Sequence, residues 1–316
     1  MLKILLLYLS RSKKLQRLFI KWRIARNFAL RFIAGETIDD AIDTVHRLNS
    51  NGYFVTVDFL GEQTISETDA QNSTMEIIRL LERIQSTQIK ANVSIKLSQI
   101  GLMLGEEFCK QKLIKILNKA RETNNFIRFD MEDSSVTDLT LKILLWARMI
   151  YDQVGIVIQS YLFRSEKDIE ELIKKQIPVR MVKGAYKESN KISFKDKSDV
   201  DANFVRLSQK MIASIITKLD CDSDEGKFPP VLAIGTHDEE IIKLLVIEIN
   251  NSGIPKRSME IQMLYGIRND LQSRYLKEGY PIRIYLPYGT HWYPYFMRRL
   301  AERPANLWFF VKNIFR

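Results

Sequence analysis

The sequence predicts an α/β chain folded as a (β/α)8 TIM-like barrel with an N-terminal helical arm. Eight short β-branched or apolar runs alternate with longer amphipathic stretches from Tyr53 onward, and side chains suited to chemistry recur at the C-terminal ends of those runs. Charge adds a third observation, because it separates a basic leading segment from a balanced body. The expected boundaries are 1-50 for the basic arm and 51-316 for the barrel, with a C-terminal helix over its mouth.

The arm comes first. Of 316 residues, 48 are Lys or Arg and 38 are Asp or Glu, a formal charge of +10; residues 1–35 hold nine of the basic residues and no acidic one. The rest of the chain therefore stands at 39 against 38, which disfavours a nucleic-acid-binding body, because a groove that follows phosphates concentrates Lys and Arg on the domain that binds. Leu15, Leu18, Phe19, Trp22, Ala25 and Ala29 recur at helical intervals beside lysines and arginines, the pattern of a basic amphipathic helix. Three readings stay open for residues 1-31: a helix docked on the body, contact with anionic lipid, or a mitochondrial transit peptide. The apolar run at 4–9 is broken by Lys3, Arg11, Lys13 and Lys14, far short of the roughly 20 residues of a spanning helix.

In the body, strands are expected at 53–57, 92–97, 126–129, 155–158, 179–182, 231–234, 259–263 and 282–286. Helical spacing occupies 73–84, 106–120, 139–151, 167–175, 205–219 and 239–249. Asp58, Lys96, Asp130, Gln159, Lys183, Thr236 with His237, Gln262 with Tyr265, and Tyr285 fall at or near strand ends. In this fold those ends converge on one mouth. Turns alone would call for Gly, Asn, Asp or Ser, so repeated lysines and tyrosines there point to a site.

Several chemistries are excluded. The closest of the 13 glycines, Gly101 and Gly105, build neither a Gly-x-Gly-x-x-Gly loop nor a Walker loop. His46, His237 and His291 share no ligand spacing, and Cys109 and Cys221 stand apart from each other and from any histidine, so no metal site or disulfide framework is expected. What the mouth offers is positive charge: Lys96, Arg180 and Lys183 on strands, with Arg298 and Arg299 near the C-terminus. Guanidinium groups grip carboxylates bidentately. Adjacent helix residues point about 100° apart, so both arginines reach one small ligand only if their helix lies across the mouth.

These residues resemble the flavin-dependent proline dehydrogenases. The resemblance is carried by Asp58-Phe-Leu-Gly-Glu62, Ser94-Ile-Lys-Leu-Ser98, Asp130-Met-Glu-Asp133, Arg180-Met-Val-Lys-Gly-Ala-Tyr186, Gly235-Thr-His237, Tyr285-Leu-Pro-Tyr-Gly289 and Tyr295-Phe-Met-Arg-Arg-Leu-Ala-Glu302, in the family's order. It runs from about Tyr53 to the C-terminus, and the length resembles the short monofunctional bacterial form.

The resemblance implies FAD bound without a Rossmann domain. Arg180 and Lys183 would lie against the flavin ring and ribityl chain, Met131 and Gln159 would touch the ring, and Gly184 and Ala185 would let the backbone approach it. Thr236 and His237 would bind toward the pyrophosphate and adenine, and Lys197 would reach the phosphates. Lys96, Arg298 and Arg299 would hold the carboxylate of L-proline, with Tyr186, Leu264 and Tyr285 packed on its ring and Asp130 orienting the shell. Asp130, Arg180 and Tyr186 are the catalytic candidates, and Glu62 with Arg298 would form a gate. A tyrosine at Tyr285 implies preference for proline over hydroxyproline, and Tyr265 and Trp292 are candidates for shaping the entrance. Hydride transfer from proline C5 to FAD N5 yields 1-pyrroline-5-carboxylate, with electrons passed to a quinone. The expected location is cytoplasmic, at the inner face of the membrane. Two other readings are a Schiff-base or phosphate-handling barrel using Lys96 or Lys183, and a non-catalytic peripheral membrane protein.

Overall fold

A computed structural model describes residues 30–61, 64–216 and 226–302. Eight parallel strands close into a barrel in sequential order, β1 pairing with both β2 and β8. The order is α1 (Ile38–Ser50), β1 (Phe54–Phe59), α2 (Glu67–Thr87), β2 (Ala91–Ile95), α3 (Glu106–Glu122), β3 (Ile127–Phe129), α4 (Ser134–Ile150), β4 (Val154–Gln159), α5 (Ser165–Lys174), β5 (Val179–Val182), α6 (Lys197–Ile216), β6 (Leu232–Gly235), α7 (Glu239–Ser252), β7 (Met259–Leu264), α8 (Asn269–Lys277), β8 (Ile282–Tyr288) and α9 (Trp292–Glu302). All eight expected strands are present within three residues of their expected ends. Helix α8 stands where a unit of eight βα repeats requires one, although its nine residues carry too little periodicity to bound it from sequence, and the two short 3-10 turns after β2 (Leu97–Ile100 and Leu102–Leu104) carry no such signal.

Alternation along the strands divides their side chains between two environments. Val55, Val57, Val93, Ile95, Ile127, Phe129, Ile156, Met181, Ile234, Ile261 and Ile284 are fully buried or nearly so and belong to the apolar core packed with the helices. The alternate positions, Thr56, Asp58, Asn92, Ser94, Arg128, Arg180, Glu260, Gln262 and Arg283, are also buried but polar. The apolar core is therefore the layer between sheet and helices, and the barrel interior is a hydrogen-bonded network. Gly155 makes room within it: a Cβ there would lie 2.8 Å from Arg128 Nη1 and 2.4 Å from the Pro178 carbonyl.

The placement of α1 decides what the mouth becomes. Thr37 caps it, accepting from the Asp40 amide at 3.1 Å while Asp40 Oδ2 accepts from the Thr37 amide at 3.0 Å. Ala41, Ile42 and Val45 then bury one face, and the helix packs against β1, β8 and α2. At its end Asn49 donates to the Tyr53 and Lys90 carbonyls and accepts from the Lys90 amide. Helix α1 thus fills the slot beside β8 and β1 that a helix after β8 would otherwise take. Helix α9 is left to cross the mouth. It is fastened there by fully buried Trp292, Tyr293 and Phe296, with Trp292 Nε1 donating to Glu36 at 3.2 Å and Phe296 against Phe32.

Candidate active site

The C-terminal ends of the strands and helix α9 enclose a cavity of about 440 Å³, within the range of small-ligand sites. Its lining includes Lys96, Asp130, Met131, Gln159, Arg180, Lys183, Gly184, Ala185, Tyr186, Thr236, His237, Leu264, Tyr285, Arg298 and Arg299. The structure thus gathers in one cavity residues that the sequence spreads over more than 200 positions. Arg298 and Arg299 both line it, the arrangement that adjacent arginines achieve only on a helix lying across the mouth.

The base of the cavity is an ion network. Lys96 Nζ donates to Asp58 at 3.1 and 3.2 Å, to Asp130 at 3.3 Å and to Tyr285 at 3.4 Å. Asp130 also accepts from Ser94 at 2.6 Å, Tyr285 at 2.6 Å and Arg180 Nη1 at 3.0 Å. Arg180 lies over the Tyr285 ring, 5.1 Å from its centroid.

The two aspartates differ in electrostatics despite sharing a lysine. Burial pushes the Asp58 carboxyl up from 3.8 to about 6, with Lys96 opposing and Asp130 reinforcing the rise. Burial acts the same way on Asp130, but Lys96, Arg180, Ser94 and Tyr285 together hold it below the usual carboxylate range. Burial, with Asp130 and Asp58 nearby, raises Tyr285 well above an ordinary phenol, so it stays a donor.

A second cluster stands at the rim. Lys183 Nζ meets Asp238 at 2.7 Å and Asp201 at 2.5 Å, and Lys197 reaches the same two aspartates. Burial pushes Asp238 up, yet the bonds from both lysines bring it down to about 2. Lys197 does not line the cavity and is 73% exposed; its link to Lys183 is indirect, through the shared carboxylates. His237 Nε2 accepts from the Leu264 amide at 3.0 Å, which leaves Nδ1 to carry the proton of the neutral ring. Gly184 has φ +122°, and a Cβ there would lie 2.3 Å from the Tyr161 ring, so the close packing this glycine permits is with Tyr161.

Other expectations fare differently. Tyr265 and Trp292 are absent from the lining: Tyr265 lies beside Arg47, and Trp292 is fully buried against Glu36, so neither shapes the entrance. Glu62 lies outside the described residues, and with it the gate to Arg298. Arm residues 1–29 and Cys221 also lie outside them, while Cys109 is a buried free thiol. Among the described residues no cluster suits a metal ion and no helix is long and apolar enough to cross a membrane.

The sequence places Asp58 and Gln262 at the mouth without a partner for either, and it does not single out Asp201 and Asp238, which balance the rim lysines, or Glu260 beneath Gln262. A readable signal for Glu260 and Gln262 existed. A polar residue at every second position of an apolar strand must face the interior of a closed barrel, and Met259-Glu-Ile-Gln-Met263 has that form.

Comparison with known proteins bears on the family and the fold. The proline dehydrogenase family model matches residues 41–312. "Proline dehydrogenase 1" of Bacillus subtilis subsp. natto is 40% identical over 316 residues, covering all of both chains. "Proline dehydrogenase" of Deinococcus radiodurans is 40% identical over 295 residues, 92% of this chain and 91% of the other. Among solved structures, proline utilization A (PutA) from Bdellovibrio bacteriovorus, inactivated by N-propargylglycine, is similar with a TM-score of 0.78 and 26% identity, over 88% of this chain and 33% of that one. A matched family model over most of the chain and relatives of this similarity along its full length make it a member of the proline dehydrogenase family.

Proposed function

We propose that this chain oxidises L-proline to 1-pyrroline-5-carboxylate, the first step of proline catabolism, with FAD at the barrel mouth and a quinone as electron acceptor. One observation carries the reading. Arg180, whose Nη2 is buried with no hydrogen-bond partner among the described residues, lines a cavity that also collects Lys96, Arg298 and Arg299. A guanidinium with an unmet donor suits a polar ring edge, and the two arginines of α9 beside Lys96 suit a carboxylate. The cavity volume accommodates a tricyclic ring with a small amino acid against it.

FAD, when bound, supplies the acceptor for the hydride leaving proline C5. Arg180 and Lys183 would hold the ring and ribityl chain, Met131 and Gln159 its faces and edges, and Gly184, Ala185, Thr236, His237 and Lys197 the remainder. Lys96, Arg298 and Arg299 grip the proline carboxylate, and Tyr186, Leu264 and Tyr285 pack on the pyrrolidine ring and exclude water. Catalysis by this chain is then chiefly positioning, since the reacting carbon must be held within about 3.5 Å of its acceptor. Asp130 fixes that geometry by accepting from Lys96, Arg180 and Tyr285 at once.

The test is an anaerobic absorbance spectrum. Flavin bands that bleach on addition of L-proline are expected; a protein that takes up no flavin, or whose flavin proline leaves oxidised, refutes the reading. A Schiff-base reading finds little support, because the nitrogens of Lys96 and Lys183 both donate to paired carboxylates, the geometry of an ammonium. The basic arm, residues 1-31, would hold the enzyme at an anionic membrane surface on the cytoplasmic side, near the quinone. A deletion to test this must stop short of Phe32 and Ile33, which are buried. Removing residues 1–29 should abolish binding to anionic vesicles while proline-to-dye activity persists, and unchanged vesicle binding refutes the role of the arm.

A further inference from the structure

Arg180 does not aim itself. Its Nε donates to Gln262 Oε1, its Nη1 donates to Asp130 at 3.0 Å, and its plane lies on the Tyr285 ring. Gln262 is symmetric in shape, so its amide alone does not fix which end faces Arg180. The other end of the amide settles that: Gln262 Nε2 donates to Glu260 Oε1. A carboxylate accepts only and a guanidinium donates only, so an amide between them has one satisfied orientation.

Glu260 is itself locked. Arg283 donates Nε to Oε1 at 2.7 Å and Nη2 to Oε2 at 3.1 Å, and spends Nη1 on the Val55 and Gly226 carbonyls at 2.9 and 2.8 Å. Glu260 and Arg283 are each 1% exposed, and neither lines the cavity. A bidentate buried pair under the site is thus tied through one amide to the guanidinium that faces it. Small residues on β6 leave the passage open: a Cβ on Gly235 would lie 3.3 Å from Arg180 Cγ and 2.9 Å from Val182.

We infer that Glu260 is a positioning residue for the redox step: through Gln262 it sets how the Arg180 guanidinium is held in the wall of the cofactor site, and so tunes how readily the cofactor is reduced. The inference rests on the proposed FAD-dependent function. A guanidinium held toward the ring stabilises the negative charge that develops on reduction, and preorganisation gives that stabilisation its strength. With the amide no longer polarised, Arg180 keeps its partners on Asp130 and loses its aim.

The experiment compares Glu260→Gln, Gln262→Leu and the double variant with the wild-type holoenzyme. Midpoint potential, FAD affinity and steady-state proline kinetics are measured on each. The equilibrium constant for flavin reduction is expected to fall about tenfold, about 30 mV for a two-electron couple. The kcat should fall about tenfold with KM for proline within about twofold, because carboxylate binding belongs to other residues. The double variant should be no worse than the more affected single one, since both act along one chain of contacts. Unchanged potential and kcat, or additive losses, overturn the inference. Should Glu260→Gln fail to fold, Glu260→Asp takes its place, since it keeps a carboxylate beside Arg283 while shortening its reach to Gln262, and unchanged potential and kcat in it overturn the inference; Gln262→Leu alone does not decide, because Gln262 lines the cavity and meets Arg180 directly. Wild-type flavin that proline does not bleach refutes the function itself, whereas bleached wild type with unaffected variants refutes only the positioning.

Discussion

Asp58 and Asp130 share Lys96, and replacing each by Asn should move stability in different directions. Asp130 is held below the usual range by its partners, so its charge stabilises the fold. Asp130→Asn leaves Lys96 and Arg180 with one carboxylate fewer in a buried site, a loss on the order of 3–5 kcal/mol. Asp58 is the reverse case. Its displacement from 3.8 to about 6 means that ionising it in the folded protein costs about 3 kcal/mol more than in the unfolded chain. Asp58→Asn removes that cost, in which the opposing bonds from Lys96 are already counted, so near pH 7.5 it should stabilise the fold by up to about 3 kcal/mol.

The sign follows from linkage. A raised folded pKa means that the favourable contribution is fully present below the unfolded value and lost as pH rises through about 6. Relative to wild type, Asp58→Asn should therefore gain between pH 4 and pH 6 and level off above, whereas Asp130→Asn should recover part of its deficit only in acid. Urea denaturation at several pH values measures both. A gap of at least about 3 kcal/mol between the variants at pH 7.5 separates their midpoints by at least about 1 M at a slope of about 3 kcal/mol/M. Equal losses for the two, or an Asp58→Asn advantage that shrinks on going from pH 4 to pH 6, would refute the assignment of opposite electrostatic roles.

Other outcomes can be checked singly. Arg299→Met should weaken binding of a carboxylate analogue such as cyclopentanecarboxylate at least tenfold and FAD binding by less than about threefold, measured by titration; equal losses contradict the assignment to substrate. Tyr285→Ser should raise the hydroxyproline-to-proline ratio of kcat/KM, because the ring packed at the mouth is removed; an unmoved ratio refutes the packing argument. Gly184→Ala puts a methyl into the Tyr161 ring at a φ of +122°, and should cost about 1–3 kcal/mol with loss of retained flavin. Thr37→Ala should cost about 1 kcal/mol through the lost cap of α1, read as a lower melting temperature with unchanged proline affinity.

Most of the architecture was legible because a barrel repeats one short-range pattern. Each run such as Val179-Arg-Met-Val182 carries its own strand signal, and the order of strands in a closed sequential barrel requires no long-range information. The slot taken by α1 was not legible. That residues 38–50 fill the place beside β8 and β1 depends on contacts between opposite ends of the chain, such as the Ala34 amide on the Pro287 carbonyl at 2.9 Å and the Gly289 amide on the Gly35 carbonyl at 3.0 Å. Nothing local in 32–36 signals that Phe296 and Trp292 will pack there.

The cations of the site were visible as cations, yet their partners were not. Asp58 meets Lys96 because β1 and β2 pair with Asp58 opposite Ser94, and Asp201 meets Lys183 because α6 begins close to the end of β5; register and helix placement make these pairs, and single residues do not announce them. The pairing changes what each cation does. Lys96 and Arg180 are matched in number by Asp58 and Asp130, so these four side chains contribute no net charge to attract an anion when all are ionised. The pull on a substrate carboxylate must come from elsewhere in the cavity wall, and α9 supplies Arg298 and Arg299. Affinity then rests on a helix fastened to the mouth by the segment at 32–36, and geometry rests on the barrel interior. A variant that loosens α9 without touching the cavity, such as Trp292→Ala, should accordingly raise KM for proline far more than it changes the flavin's midpoint potential, and the reverse pattern would place affinity in the barrel network instead.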